Sequence, residues 1–481
     1  MSQPTKQENG RADAAKGELF RDAVVALKRA GERLCVLHGY KGYPEKIASD
    51  VDAVSAEAAR IPRLLSESGA ATVVQAIHTQ PTAAFWYALC RWREGRPVFL
   101  RLHVFYDDYR IDGRVFFEGE EFLEKARPFA FFEVPPPDLE FAAYLVKRAA
   151  KGSMDATQAE RLSELYGADP AGCRLRLARL LPEAEAELVA ESARSGDWEI
   201  VRRRLGHLYG EMSGRVGREQ PLKVLRNRLD DLGKRLGRAL RPSGLMVAVL
   251  GVDGAGKSTV MARVREDLAP AFWSTKLYHG RALESPLRWT KRVRQERQER
   301  DLLKLELESA ATASPHAVPL GPGRDPHDKP SRGLALSLVK LVLWWADYTL
   351  LGYVADVQPQ LRRSALVIFD RYYHDLLIDP TRHRYGGPMW LAKAVGRIFP
   401  QPHLVLLLDA PAEVLHARKQ EVSLEETSRQ REAYLDLVRK LPNGHVVDAS
   451  RPVTEVVTEA ERIILDHLTA RTARRLKSQG R

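Results

Sequence analysis

Nine consecutive residues, GVDGAGKST at Gly251–Thr259, carry the spacing in this 481-residue chain that points most directly to chemistry. A row of phosphate groups bears several negative charges, and a glycine-rich turn can hold it by aiming backbone N–H groups inward. Here Gly251, Gly254 and Gly256 permit close backbone approach, and Val252, Asp253 and Ala255 complete the turn. A helix starting at Lys257 would offer its positive end to the phosphates, with the Lys257 ammonium on the outer two groups. Ser258 would ligate the accompanying magnesium, and Thr259 closes the motif. The apolar stretch LMVAVL before the turn and the apolar-periodic segment after it supply the strand-turn-helix setting that the chemistry requires. The pattern predicts a site for ATP and Mg2+.

A second cluster lies in ALVIFDRYYHD, Ala365–Asp375, where an apolar strand ends in Asp370 and Arg371. A carboxylate at that place can hold magnesium or its water, or take a proton. An adjacent guanidinium can clamp a phosphoryl group in transfer, where charge develops. Downstream, Arg382 and Arg384 precede Tyr385-Gly386-Gly387, a pattern suited to an anion-binding turn, and Arg384 is expected to contribute to binding of a phosphoryl acceptor. Near the N-terminus, LHGYKGYPEKIASDVDAV places Asp50 and Asp52 two apart after a glycine turn. On a strand these two carboxylates share a face and could share magnesium.

Taken together, GVDGAGKST, FDRYY and PHLVLLLDAPAEVLHARKQ resemble the thymidylate kinases over roughly residues 245–470. The resemblance implies a P-loop kinase that moves the γ-phosphoryl of ATP to a nucleoside monophosphate or another small acceptor, by catalysis that rests on Lys257, Asp253, Asp370 and Arg371. It also implies that Asp253 meets the acceptor's sugar hydroxyl and that Arg371 orients a phosphate. Asp409 then ends the strand before the lid, and Arg418, Lys419, Arg429 and Arg431 are lid cations closing over ATP. The acceptor side departs from the family pattern. Where the family carries Arg-Glu-Pro-Gly this chain has LYHGRALESP, Tyr348 of WWADYTLL stands at an expected arginine, and LLIDPTRHRYGGP replaces a serine-rich stretch. The N-terminal segment resembles the polymerase-β type of nucleotidyltransferase over about residues 20–150. That likeness implies a third carboxylate, for which the chain offers His103, or Asp107 or Asp108 in another register. It leaves open a bifunctional nucleotidyltransferase and kinase of sugar or polysaccharide metabolism, or a protein that binds ATP without transferring it.

The elements that must position these residues are legible as alternating patterns. Beyond Pro242, short apolar runs (LMVAVL, Lys276–His279, ALVIF, HLVLLL, HVVD) alternate with longer helical stretches, the pattern of a parallel sheet covered by helices on both faces. Before it, strand-like runs at Asp50–Val54, Thr72–Ile77, Phe85–Arg91 and Val98–Phe105 indicate an α+β region. The expected organisation is a disordered polar leader at 1–17, a nucleotidyltransferase-like domain at 18–137, a helical region at 138–215 and a basic helical connector at 216–244. The P-loop domain follows at 245–470, with a mobile Pro/Gly-rich insertion at 310–332, and a basic tail occupies 471–481.

Composition bounds what this architecture serves. Apolar residues at 44% and charged residues at 29% are those of a globular chain. The net charge of +12 is concentrated at 222–241, 288–300 and the C-terminal tail, where interleaved acidic residues indicate mostly solvated helix faces. No nucleic-acid-reading motif accompanies them, which argues against that partner and leaves peripheral contact with a membrane open. Self-association as a homodimer is also open. Cys35, Cys90 and Cys173 are too scattered for a disulfide framework or a zinc site, and the polar N-terminus lacks a signal-peptide core, so a cytoplasmic setting is expected. Leu334–Val357 is the one membrane-like run, but Lys340, Asp347 and Asp356 interrupt it, and a buried helix is expected there.

Overall fold

Every residue of Leu245–Leu250 is buried, as a strand covered on both faces must be. In this computed structural model, which describes residues 6–44, 47, 50–79, 84–106, 108–279, 330–420 and 422–479, that strand is the middle of a five-stranded sheet. The chain divides into two compact units. The first unit is Pro4–Leu240 with the residues from Leu468 onward, and the second is built on Arg241–His467.

Strands are numbered β1 to β14 in chain order. The second unit holds β10 (Leu245–Leu250), β11 (Ser274–His279), β12 (Ala365–Asp370), β13 (Leu404–Asp409) and β14 (Gly444–Asp448), in the order β11-β12-β10-β13-β14. All the pairings are parallel, so the expected parallel sheet is present. Because the strands run one way, their carboxyl ends share one edge, and ligands of open α/β sheets bind at that edge. The register Val249↔Asp370 puts the end of β12 beside the turn that follows β10.

The first unit has a mixed sheet. Its strands are β1 (Leu34–His38), β2 (Asp50–Ser55), β3 (Thr72–Thr79), β4 (Ala84–Arg93), β5 (Arg96–Phe105), β8 (Arg127–Phe129) and β9 (Phe132–Val134), ordered β3-β4-β5-β2-β1-β9-β8. A separate hairpin joins β6 (Asp108–Ile111) to β7 (Arg114–Glu118). Five helices follow, from Pro137–Lys151 to Glu199–Glu219. Local signals set their ends: Asp155 and Gln158 form a capping box at the second, while Gly152 and Gly196 end two others in the left-handed conformation. These helices share one buried core with β1, β2 and the hairpin, through Leu37, Val54, Tyr109, Leu145 and Leu162 among others. Sheet and helices are therefore one body, with no break at 137.

Two expectations change. The leader expected to be disordered to residue 17 is helical from Lys6, within Lys6–Arg29, whose apolar side burying Leu19, Phe20, Val24 and Leu27 belongs to the sheet's core. The apolar run at 334–357 lies in a helix, Leu334–Arg362, long and apolar enough by length and composition to cross a membrane. Instead of being buried, it leaves Leu334, Leu336, Val339, Val342 and Leu343 more than half exposed. Its middle, Asp347–Val357, is wound as a π-helix. The basic run at 288–300, residues 310–329 of the insertion, and Asp107 lie outside the described residues.

Candidate active site

The glycine turn leaves β10 and enters the helix Lys257–Asp267. Gly251, Gly254 and Gly256 all have positive φ, at 147°, 89° and 78°. At two of them space is also short: a Cβ on Gly251 would lie 2.6 Å from the Leu408 carbonyl oxygen, and one on Gly254 would lie 2.5 Å from that of Leu415. Only glycine fits this backbone. Lys257 is buried and donates to the Gly251 and Val252 carbonyls at 2.9 and 3.1 Å, folding its ammonium under the turn. Burial first, and then the neighbouring Arg371, lower its pKa. Ser258 and Thr259 open the helix and are solvent-exposed, accessible to a bound phosphate and its metal.

Asp253 gathers the site's cations. One carboxylate oxygen accepts from Arg371, the other from Arg382 at 2.6 Å, and Lys257 stands 3.7 Å away. Burial alone would raise its pKa, but Arg371, Lys257 and Arg382 hold it well below the usual carboxylate range. Arg371 is held from the other side too, donating to Asp375 at 2.9 Å. Asp375 is buried and accepts from the Tyr434 hydroxyl at 2.9 Å. Arg371 itself sits at φ 67°, a conformation rare outside glycine, with its N–H on the Val249 carbonyl at 3.1 Å. The end of β12 thus aims the guanidinium at the phosphate turn.

Asp370, one residue earlier, accepts from the His279 ring at 3.2 Å through Oδ2. Its Oδ1 is buried and, among the described residues, has no hydrogen-bond partner. Burial would raise its pKa, but the His279 hydrogen bond and Lys257 keep the carboxyl below its ordinary value. An ionised, half-satisfied carboxylate beside a phosphate cradle fits a divalent cation, and with Ser258 it would hold magnesium.

The remaining expected residues divide. Arg382 joins the cluster, whereas Arg384, at φ 53°, donates to the Pro330 carbonyl at 3.0 Å. Of the lid cations, Lys419 lies against Gly254. Arg418 donates to the Ala449 carbonyl, Arg429 pairs with Glu426 and also reaches the Ile378 carbonyl, and Arg431 forms a two-pronged pair with Asp409 at 2.8 Å on each arm. Tyr348 is buried in an aromatic group, edge-on to Tyr372 at 5.2 Å and tilted against Phe399 at 5.3 Å. Sequence reasoning missed Asp375 and Tyr434 as the supports of Arg371. Helical spacing was no signal for Asp375, since Arg371 lies before the helix His374–Ile378, and the tyrosine, 59 residues on, had none either.

In the first unit, Asp50 and Asp52 share a face, and His103, offered for the third carboxylate, lies opposite Asp52. Each carboxylate has a basic neighbour. Asp50 pairs with Arg101 at 3.2 Å, and Asp52, buried, accepts from the His103 ring at 2.9 Å and from Lys147. Burial would raise the Asp52 pKa, but Lys147 and the His103 hydrogen bond hold it well below the usual range. Asp108 pairs with Lys223 at 3.0 Å. Among the described residues no group of three or more His, Cys, Asp or Glu side chains could hold a metal ion. Asp50 and Asp52, expected to share magnesium, lie in an ion-pair network in which a lysine from the helix Pro137–Lys151 reaches the buried carboxylate.

A parallel sheet with a phosphate turn after its central strand, and an arginine clamped beside it, defines a P-loop kinase-like domain over roughly half the chain. No family model matches it. The chain is 28% identical over 229 residues to a probable thymidylate kinase of Pyrobaculum calidifontis, covering 46% of this chain and 95% of the relative. It is 32% identical over 152 residues to probable thymidylate kinase 1 of Saccharolobus solfataricus, covering 27% of this chain and 76% of that one. With the thymidylate kinase of Xanthomonas oryzae pv. oryzae it shares 28% over 240 residues, 48% of this chain and 88% of the relative. A crystal structure of thymidylate kinase from Ehrlichia chaffeensis aligns over 46% of this chain and all of its own, with a TM-score of 0.30 and 17% identity. Through this half, the chain belongs to the thymidylate kinase family.

Proposed function

We propose that the Arg241–His467 unit transfers the γ-phosphoryl of MgATP to a nucleoside monophosphate or a similarly small, phosphorylated acceptor. The observation that carries this reading is the arginine relay. Arg371 is locked between Asp253 of the phosphate turn and Asp375, and Arg382 reaches the same Asp253. Two guanidiniums converging on one carboxylate at the mouth of the turn form a preorganised cationic pocket. An acceptor's phosphate can take over some of those hydrogen bonds without moving the arginines. Lys257, released from its carbonyls, would bind the outer phosphates of ATP. Asp370 and Ser258 would hold the metal, which when bound neutralises charge between those phosphates. Asp253, freed of Arg382, would accept from an acceptor hydroxyl. Positioning and charge stabilisation supply the catalysis in this scheme: the acceptor oxygen bonds to the γ-phosphorus as ADP leaves, with no covalent enzyme intermediate.

The aromatic surroundings of Tyr348 favour an acceptor other than the one implied by an arginine at that position. The test is acceptor-stimulated ADP release across a panel of nucleoside monophosphates and sugar phosphates, with Lys257→Ala as control. Wild-type turnover with at least one acceptor, lowered on the order of 10²–10³-fold in the variant, supports the reading. Folded protein that binds MgATP yet releases no ADP with any acceptor would point to ATP binding without transfer. For the first unit, the Lys147–Asp52 contact favours a binding role over nucleotidyl transfer, and magnesium-dependent pyrophosphate release abolished by Asp52→Asn would overturn that assignment.

A further inference from the structure

The helix Pro221–Leu240, in the first unit, is docked the wrong way round for a helix that serves only to connect. Its polar side faces its own unit. Arg110 donates to Asp230 and Asp231 at 3.2 and 3.0 Å, Asn227 to the Gly113 carbonyl at 2.9 Å, and Lys234 to the Tyr106 hydroxyl at 2.8 Å. The approach is close, since a Cβ on Gly113 would meet the Arg228 side chain and the Val224 carbonyl oxygen at 3.0 and 3.1 Å. The opposite side carries Leu222, Leu225, Leu229, Leu232 and Leu236, between 53% and 81% exposed. Their spacing of three and four residues makes one straight seam, about 21 Å long at 1.5 Å per residue.

Charge is segregated in the same sense. The helix has two acidic residues: Asp231 is buried against Arg110, and Asp230 is shared between Arg110 and Lys234 on the side away from the leucines. Arg226, Arg228 and Arg235 flank the leucines and are exposed. These flanks decide among occupants. A second copy pairing seam to seam would offer these arginines no carboxylate in either direction, because the positions flanking the leucines are Pro221, Arg226, Arg228, Gly233 and Arg235. An interfacial helix, by contrast, needs a modest apolar stripe, long cations beside it that can snorkel, and no carboxylate within the stripe. This face meets all three conditions. We propose that the Leu222–Leu236 face is a docking surface for an anionic lipid bilayer, with the leucines entering the headgroup boundary and Arg226, Arg228 and Arg235 on lipid phosphates.

The experiment is flotation of the full-length chain with vesicles of phosphatidylcholine alone or with about 30% phosphatidylserine. Binding to the anionic vesicles, falling as salt is raised, is the expected result. Combined Leu225→Ser, Leu229→Ser and Leu232→Ser should lower partitioning on the order of 100-fold. Combined Arg226→Gln, Arg228→Gln and Arg235→Gln, which leaves the leucines in place and guards against misfolding of the first variant, should lower it to a similar degree on anionic vesicles only. The proposal is overturned if the wild type ignores anionic vesicles, or binds both kinds equally and without salt dependence. It is likewise overturned if light scattering shows a dimer that the leucine variant dissociates while no vesicles are bound, or if only an acidic leucine-heptad peptide is captured.

Discussion

Arg371 occupies a backbone conformation that side chains avoid, and it stays there because three groups hold it: the Val249 carbonyl, Asp253 and Asp375. Removing one anchor without emptying the site should therefore loosen the guanidinium. Asp375→Asn is expected to reduce kcat by about 10- to 100-fold while changing the KM for ATP by no more than about twofold. Steady-state kinetics with the best acceptor checks this. Arg382 and Arg384 make a sharper pair, two residues apart with opposite assignments. Arg382→Ala should raise the acceptor KM about tenfold or more, the cost of losing one charge-assisted contact of about 1.5–3 kcal/mol. Arg384→Ala, which loses a hydrogen bond to Pro330, should stay near wild type.

His374 adds a pH dependence. Burial pushes its imidazole down to about 4, so between there and the unfolded value near 6.5 the unfolded chain binds more protons than the folded one. Stability from this group is present above about pH 6.5 and is lost as pH falls toward 4, by up to about 3 kcal/mol. The melting temperature should decline over that window. His374→Gln should flatten the decline, as measured by thermal unfolding at fixed ionic strength.

At the scale of elements, the phosphate turn is a piece of backbone before it is a set of side chains. Gly254 illustrates this, with φ at 89° and the Leu415 carbonyl where a Cβ would go. Gly254→Ala should cost on the order of 1–3 kcal/mol in the conformation that binds phosphate. The thermal shift given by MgATP should then shrink or vanish, although Lys257 and Ser258 remain. Where helices meet solvent, pattern predicts less. The helix Leu334–Arg362 and the helix Pro221–Leu240 both carry apolar stripes, and both show much of that apolar surface to solvent. An apolar stripe states that one face gains from burial. It does not state what is present to cover it.

At the scale of the whole molecule, two units carry two cationic arrangements with different logic. In the second, arginines and a lysine surround Asp253 at the mouth of a cradle; in the first, Lys147 and His103 close around buried Asp52. The first pattern is open to a ligand's charge and the second is already neutralised. Asp52→Asn should therefore act on stability, leaving Lys147 partly buried without its counterion. A loss of about 2–3 kcal/mol is expected, below the usual cost for a fully buried pair because the lysine is partly solvated. Chemical denaturation of the full chain measures it, and kinase turnover in the absence of denaturant should be unchanged.

What the amino-acid sequence determined by itself was local. GVDGAGKST lies on nine contiguous residues, and its strand and helix adjoin it, so loop, Lys257 and Ser258 were legible. Asp370 and Arg371 were legible because an apolar run has to end somewhere and its last polar residues sit at the sheet edge. The parallel sheet followed from alternation alone, whereas the pairing of Asp52 with His103 came from the sheet that sets the two strands side by side. What only the tertiary structure decided was which distant group answers each of these. Tyr434 supports Asp375 across 59 positions, Lys147 reaches Asp52 across 95, and Arg382 finds Asp253 across 129. The first seventeen residues read as a polar leader, yet Lys6–Arg29 is helical because a sheet face exists for its buried side to join. The helix Pro221–Leu240 read as a basic connector with solvated faces, yet Arg110, Gly113 and Tyr106 claim its polar side. Hydrogen-bond partners and buried faces are set by a competition among all surfaces of the folded chain, and a local pattern records only one competitor.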